Sequence, residues 1–169
     1  LYPLRIETEG GISNILLFSV SPFAETVERE ATAGKEEAAN DHPQQAQWIE
    51  TPVVVNGTLG GGDRDVYRLR AKAGEKLVFE VEARRAGSAI DPVIRVLDRA
   101  GRVLARNNDA PSIGVDSRCE VTFPGDGDYF VEVHDARFSD QKQNFYRLKI
   151  GRFAYAETMF PLGWQRGRE

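Results

Sequence analysis

A Cys–His nucleophile pair in this chain would have to be Cys119 with His134, because the sequence holds one cysteine and only two histidines, His42 and His134. A thiol attacks only as the thiolate, and it needs a base within about 3 Å. Cys119, Val121 and Phe123 alternate with Arg118, Glu120 and Thr122, the period-two pattern of a half-buried strand. The turn signal Pro124-Gly125-Asp126-Gly127 is expected to fold this run onto Tyr129–His134 as a hairpin. That register sets Cys119 opposite Val133 and sends His134 to the other face, so no proton can pass between them. Cys119 then reads as a small buried apolar residue. The chain also contains no Gly-x-Ser-x-Gly elbow, no His-Glu-x-x-His pair and no phosphate-cradling glycine loop. The expectation is a chain that is not an enzyme.

Hard-cation binding is the second chemistry the residues suggest. Calcium takes six to eight oxygen ligands in a flexible geometry, and closely spaced Asp, Asn and Glu on loops supply them. One cluster joins Glu36, Glu37, Asn40 and Asp41 with Asp63 and Asp65. Within it, Glu37, Asn40, Asp41, Asp63 and Asp65 are the expected calcium ligands. A second cluster is Asn107, Asn108, Asp109 and Asp116. Asx side chains also hydrogen-bond their own backbone in turns, which accounts for both clusters without a metal. Ligand binding directs attention to aromatics outside alternating core positions: Trp48, Phe138, Tyr155 and Trp164. A flat ring stacks on a sugar or fills a protein contact. Trp48 and Phe138, with Asn108, Asp109 and Asp116, are therefore the candidate ligand-binding residues. The competing reading has Trp48 and Trp164 capping the ends of the fold.

The elements that would position these residues are strands. Val66–Ala71 alternates Tyr67 and Leu69 with Arg68 and Arg70, and Lys76–Arg84 places Leu77, Phe79, Val81 and Ala83 on one face. Pro92–Asp98 and Arg102–Arg106 flank a hairpin loop at Arg99-Ala100-Gly101, and Asn144–Ile150 closes the series. The Val53-Val54-Val55 run ends at Asn56-Gly57, a turn signal. About seven short strands with Gly, Pro, Asn or Asp turns predict an all-β, jelly-roll-like antiparallel β-sandwich. Before it, residues 1–23 read as a strand pair. Residues 24–50 read as a linker with a short helix around Glu25–Ala33 as the alternative. The net charge of -4, with 22 basic residues dispersed among 26 acidic ones, excludes a nucleic-acid binder, which needs a concentrated basic stripe. No apolar run approaches the ~20 residues of a membrane span, so no membrane insertion is expected. The start at Leu1, without a leader, suggests a processed or excised piece.

From Thr51 onward an ordered set of motifs resembles the bacterial pre-peptidase C-terminal domain family. Gly62-Asp63-Arg64-Asp65-Val66-Tyr67-Arg68-Leu69 is similar to the family's opening strand, and Ala73-Gly74-Glu75-Lys76-Leu77 to the turn that follows. Asp91-Pro92-Val93-Ile94-Arg95-Val96-Leu97-Asp98 with Gly101-Arg102-Val103-Leu104-Ala105 resembles its hairpin, and Asn107-Asn108-Asp109 with Asp116-Ser117-Arg118 its acidic loop. Gly127-Asp128-Tyr129-Phe130-Val131-Glu132-Val133 and Tyr146-Arg147-Leu148 resemble its closing strands. The resemblance implies a non-catalytic accessory domain over residues 51–151, acting as a spacer, targeting or adhesion module of an extracellular or surface protein. A carbohydrate-binding module with structural calcium is the alternative it implies, and a third is part of a secreted hydrolase whose catalytic domain lies elsewhere. Its partners would be neighbouring domains of the same polypeptide and an extracellular polysaccharide or protein. In collagen-binding relatives a Glu-Pro-Asn-Asp-like linker meets the loop before the Asp-x-Tyr strand at calcium. Asn40-Asp41 match that linker, but Ala38-Ala39 stand where Glu-Pro would be, which removes a carboxylate. The ends, Gly11–Val20 and Phe160–Gly167, resemble the last strand and the start of immunoglobulin-like repeats. Residues 152–169 are thus expected to begin a following repeat.

Overall fold

The computed structural model describes residues 1–29, 40–137, 144–163 and 165–167. Its first part is a nested hairpin: β1 (Tyr2–Leu4) pairs with β4 (Leu16–Phe18), and inside it β2 (Glu7–Thr8) pairs with β3 (Gly11–Ile12). The remaining strands are β5 (Ala24–Val27), β6 (Gln47–Trp48), β7 (Val53–Thr58), β8 (Arg64–Ala71), β9 (Lys76–Glu82), β10 (Pro92–Leu97), β11 (Val103–Asn107), β12 (Arg118–Thr122), β13 (Gly127–Asp135) and β14 (Phe145–Gly151). They form two five-stranded sheets, ordered β12-β9-β14-β7-β5 and β11-β10-β13-β8-β6. The sandwich anticipated from the alternation is present.

Each sheet places every second side chain inward. Tyr67, Leu69 and Ala71 of β8 meet Leu77, Phe79 and Val81 of β9 in one core, with Ile94, Val131, Tyr146 and Leu148. The rings of Phe79, Phe123 and Tyr129 stack in sequence, with centroids 6.4 and 4.4 Å apart. Such burial contributes roughly 25 cal/mol per Å² of apolar surface, and it is the term that holds the two layers together.

Three local expectations are corrected. The linker does not wind into a helix where it is described: Ala24–Val27 is β5, which joins β7 in parallel, and Gln47–Trp48 is β6, which joins β8 in parallel. The sandwich is therefore antiparallel except at these two edges. Asn56-Gly57 is not a turn, because β7 runs through it to Thr58, paired with β14 along its whole length. Nor do β12 and β13 form a hairpin. β12 pairs with β9 and β13 with β8 and β10, so the Pro124–Gly127 turn carries the chain from one sheet to the other. Local turn chemistry cannot distinguish a hairpin from a crossover between facing sheets.

Both open sides of the sandwich are closed by polar side chains. On one side the Gln47 amide donates to Val27 O at 3.0 Å, and its Oε1 accepts from Arg29 N at 2.7 Å, which ties the edge strands β5 and β6 together. On the other side Asp116 is fully buried. Its carboxylate accepts from the backbone N–H groups of Ala83, Arg84 and Arg85 at 3.2, 2.8 and 3.3 Å, and from Arg85 Nε at 2.7 Å. Ser117 Oγ beside it donates toward Asn108 O at 2.9 Å, next to the end of β11. Asp116→Ala would leave several of these donors unpaired, and it should cost about 3 kcal/mol or more in denaturant unfolding. A loss below about 1 kcal/mol would show that this carboxylate does not clamp the edge.

Candidate functional site

The described residues that bring reactive groups closest together lie where the linker joins the sandwich. Alternation along β8 turns Asp65 inward on the same face as Tyr67, and β14 brings Tyr146 from the facing sheet. Just after β5, Glu28 N donates to Asn56 O at 3.0 Å, and the Glu28 carboxyl enters between the layers. Its Oε1 accepts from Thr58 N at 2.5 Å and from Thr58 Oγ1 at 2.9 Å. Its Oε2 lies 3.3 Å from Tyr146 Oη and 3.5 Å from Tyr67 Oη. The two phenol oxygens are hydrogen-bonded to each other, and Tyr146 Oη lies 2.6 Å from Asp65 Oδ2. Further along the linker, Asn40 O accepts from Val66 N at 2.8 Å, and the Asn40 side chain is buried. Gly57 makes this convergence possible. A Cβ there would overlap the Tyr146 ring and the Glu28 carboxyl.

Electrostatics at this junction favour bound protons. Burial pushes Asp65 up to about 10; the charge of Glu28 adds to that, and the Tyr146 hydrogen bond opposes it. Asp65 is thus a neutral acid at physiological pH. Burial likewise holds the Tyr67 and Tyr146 phenols well above their usual value. Asp65 also shares a side-chain hydrogen bond with Glu28, and the Asn40 side chain one with Tyr67. The carboxyls and phenols of this site share bound protons across the gap between the two sheets.

The expected calcium ligands are only partly assembled. Asn40 and Asp65 come to the same junction. Asp63 stays on the preceding loop, where Oδ2 accepts from Gly60 N at 3.0 Å and Oδ1 from Arg64 N at 2.7 Å. Asp41 is half-buried beside Asn40, and Glu37 lies outside the described residues. Among the described residues no three Asp, Glu, His or Cys side chains are grouped as a metal site. Glu28, Tyr67 and Tyr146 are participants that the sequence reading missed. The available signal was Asp65 itself, an acid on the inward parity of an otherwise apolar strand face.

The other candidates separate. Cys119 packs against the core of one sheet, and burial pushes its thiol up to about 12. His134 faces outward from the opposite sheet, 3.2 Å from Glu132, and His42 is exposed on the linker side. In the acidic loop, Asn107 Oδ1 accepts from Arg118 N at 3.1 Å, and Asn108 Nδ2 donates to Asp109 Oδ2 at 3.1 Å. Asp116 is corrected from a ligand-binding residue to an internal clamp, since its carboxylate is buried and occupied. Trp48 is 46% exposed on edge strand β6, with the Arg68 guanidinium 5.7 Å from its ring. Phe138 and Trp164 lie outside the described residues.

Two variants test the junction. Asp65 binds its proton more tightly in the folded chain than at its ordinary value of 3.8. Its contribution to stability is therefore complete below about 4 and declines as pH rises toward about 10. Asp65→Asn should flatten the fall of unfolding free energy over that window, and an unchanged slope would show that Asp65 is not the proton holder. Gly57→Ala should cost about 1–3 kcal/mol through overpacking, read as a lowered urea midpoint.

Residues 63–135 match the family model described as the bacterial pre-peptidase C-terminal domain. Among solved structures, the chain is similar to the pre-peptidase C-terminal domain of collagenase from Bacillus anthracis. That match has 19% identity and a TM-score of 0.51, and it covers 66% of this chain and 99% of that one. A second similar structure is PliG of Aeromonas hydrophila, a periplasmic inhibitor of g-type lysozyme. It is 21% identical with a TM-score of 0.45, covering 62% of this chain and 96% of that one. No curated protein matches the chain. At 19% identity the collagenase likeness speaks for the fold, and it agrees with the two-layer sandwich described above. Family match and fold coincide on the same strands: residues 63–135, which match the bacterial pre-peptidase C-terminal domain model, run from the start of β8 to the end of β13 within the two-layer sandwich.

Proposed function

We propose that this chain is a targeting, adhesion or spacer module of an extracellular multi-domain protein, working through its neighbouring domains and through a surface polymer. The observation that carries this reading is the exposed apolar surface at both ends. Leu4, Leu16, Phe18 and Val20 of the first hairpin are about half or more exposed, and Phe160 is 94% exposed. A two-stranded ribbon is marginal alone, and a contiguous apolar surface marks a contact that this chain leaves unfilled. A cleft of about 870 Å³ between the ribbon and the first sheet is lined by Leu17, Phe18, Val27 and Phe145. Chain entry and exit also meet, since Phe23 and Phe153 lie 6.1 Å apart and Ser19 Oγ donates to Glu82 at 2.7 Å. Preceding and following immunoglobulin-like repeats would cover these surfaces. Amide exchange tests this: ribbon amides should exchange fast in this chain and slow at least tenfold in the longer parent polypeptide. Equal rates in both would overturn it.

Structural calcium at the linker junction is a second reading, supported by the convergence of the buried Asp65, Glu28 and Asn40 at one point between the sheets. Asp65 and Asn40 would hold the ion with Asp41 and Glu37 of the linker, and Asp63 would join only by leaving its turn. The ion would stiffen the junction. Calorimetric titration should then show calcium binding with proton release, because Asp65 must ionise, and a raised melting temperature. No heat and no thermal shift would remove calcium from the account. A parent hydrolase would declare itself by a catalytic motif in the full-length gene product.

A further inference from the structure

The outward face of the sheet ordered β11-β10-β13-β8-β6 carries an aligned set of side chains. Cross-strand register places Trp48 beside Arg68, Arg68 beside Phe130, Phe130 beside Leu97, and Leu97 beside Val103. One row thus crosses all five strands, about 19 Å at the usual strand spacing. Trp48 and Val103, at its two ends, are 46% and 45% exposed. On either side lie rows rich in arginine. Arg70 stands opposite Asp128, and Glu132 sits between Arg95 at 3.0 Å and Arg64 at 3.6 Å, with Arg106 opposite Arg95. Asp128 also pairs with Arg68, and His134 lies against Glu132.

Charge on this face opposes that of the whole chain. Among the described strand residues of this face, Arg64, Arg68, Arg70, Arg95 and Arg106 stand with the acids Asp128 and Glu132, a formal excess of three positive charges in a chain of net -4. The Arg68, Arg70 and Arg95 side chains are 47%, 74% and 29% exposed, and carboxylates hold each of them in place. Positioned arginine forks favour bidentate binding of carboxylate or sulfate groups. An exposed indole presents a flat apolar surface suited to the face of a sugar ring. A long shallow row suits a polymer lying across the strands better than a small molecule, which needs a concave pocket.

We propose that this sheet face binds an acidic polysaccharide, with Trp48 stacking on a sugar ring and Arg68, Arg70, Arg95 and Arg106 receiving its anionic groups. The proposal rests on the accessory-module reading and gives that module its polymer. Binding of the whole chain to polygalacturonate, neutral dextran and polyglutamate is measured by calorimetry at low salt, with melting temperature as the folding control. The expected result is polygalacturonate binding at least tenfold tighter than dextran, weakening with salt. Trp48→Ala should weaken it at least fivefold, and the exposed pair Arg70→Glu and Arg106→Glu should weaken it at least tenfold. If Trp48→Ala perturbs the edge strand, the arginine pair decides alone. No binding to polygalacturonate, or equal binding to dextran, overturns the proposal. Polyglutamate bound as tightly, with Trp48→Ala silent, also overturns it and indicates an acidic polypeptide partner. The modular reading is tested separately by amide exchange, so either can fail without the other.

Discussion

Two sheets can face each other only if the rows between them are dry, and the strand pleat supplies those rows by turning every second residue inward. Tyr67, Leu69, Phe79, Val81, Val131 and Leu148 meet across the gap, and each alternate position is left for charge or contact. This parity governs the rest of the molecule. It sends Cys119 into the core and His134 to the outside of the opposite sheet, which separates the only thiol from the imidazole nearest it in sequence. It also places Trp48 and Arg68 together on an outer face.

The same parity creates a difficulty at Asp65, where an acid takes an inward position. The structure accommodates it with protons and phenols instead of a cationic partner. Tyr146 binds its carboxyl, Tyr67 binds Tyr146, and Glu28 arrives from the linker to complete the cluster. Burial keeps Asp65 neutral, so one buried charge is avoided. Glu28 and Asn40 both come from the stretch between the first hairpin and β7, so the cluster ties that stretch to β8 and β14 at two points. Gln47 does the same for the edge strands through their backbone.

These polar devices and the outer faces divide the labour in the domain. Inner clusters close the sandwich at its edges, with Asp116 on one side and Glu28 and Gln47 on the other. The outer face of one sheet meets the entering and leaving chain, where Lys149 and Phe153 stand 3.8 Å apart and Arg118 lies 4.4 Å over Tyr155. Among the described residues, the other outer face exposes Trp48 and Val103 at the ends of its cross-strand row and the Arg68 and Arg70 side chains beside it.

The central strands, their parity and the pre-peptidase C-terminal motifs were legible from the residues, because alternation and turn chemistry act within a few positions of each other, whereas the short edge strands β5 and β6, too brief to alternate, were read as linker. Asp65 could be assigned its inward parity in the same way. Its partners could not: Glu28 and Tyr146 lie 37 and 81 positions away, and only the packing of β14 against β7 over a bare Gly57 brings them to it. Asn56-Gly57 has the composition of a turn, yet it runs straight because β14 and β5 pair on both of its sides and outweigh local preference. The crossing at Pro124–Gly127 was decided in the same manner, by which sheet each flanking strand could join. Local chemistry determined the strands and their faces; long-range pairing decided which carboxyl met which phenol, since contacts between distant segments leave no periodic trace in the chain.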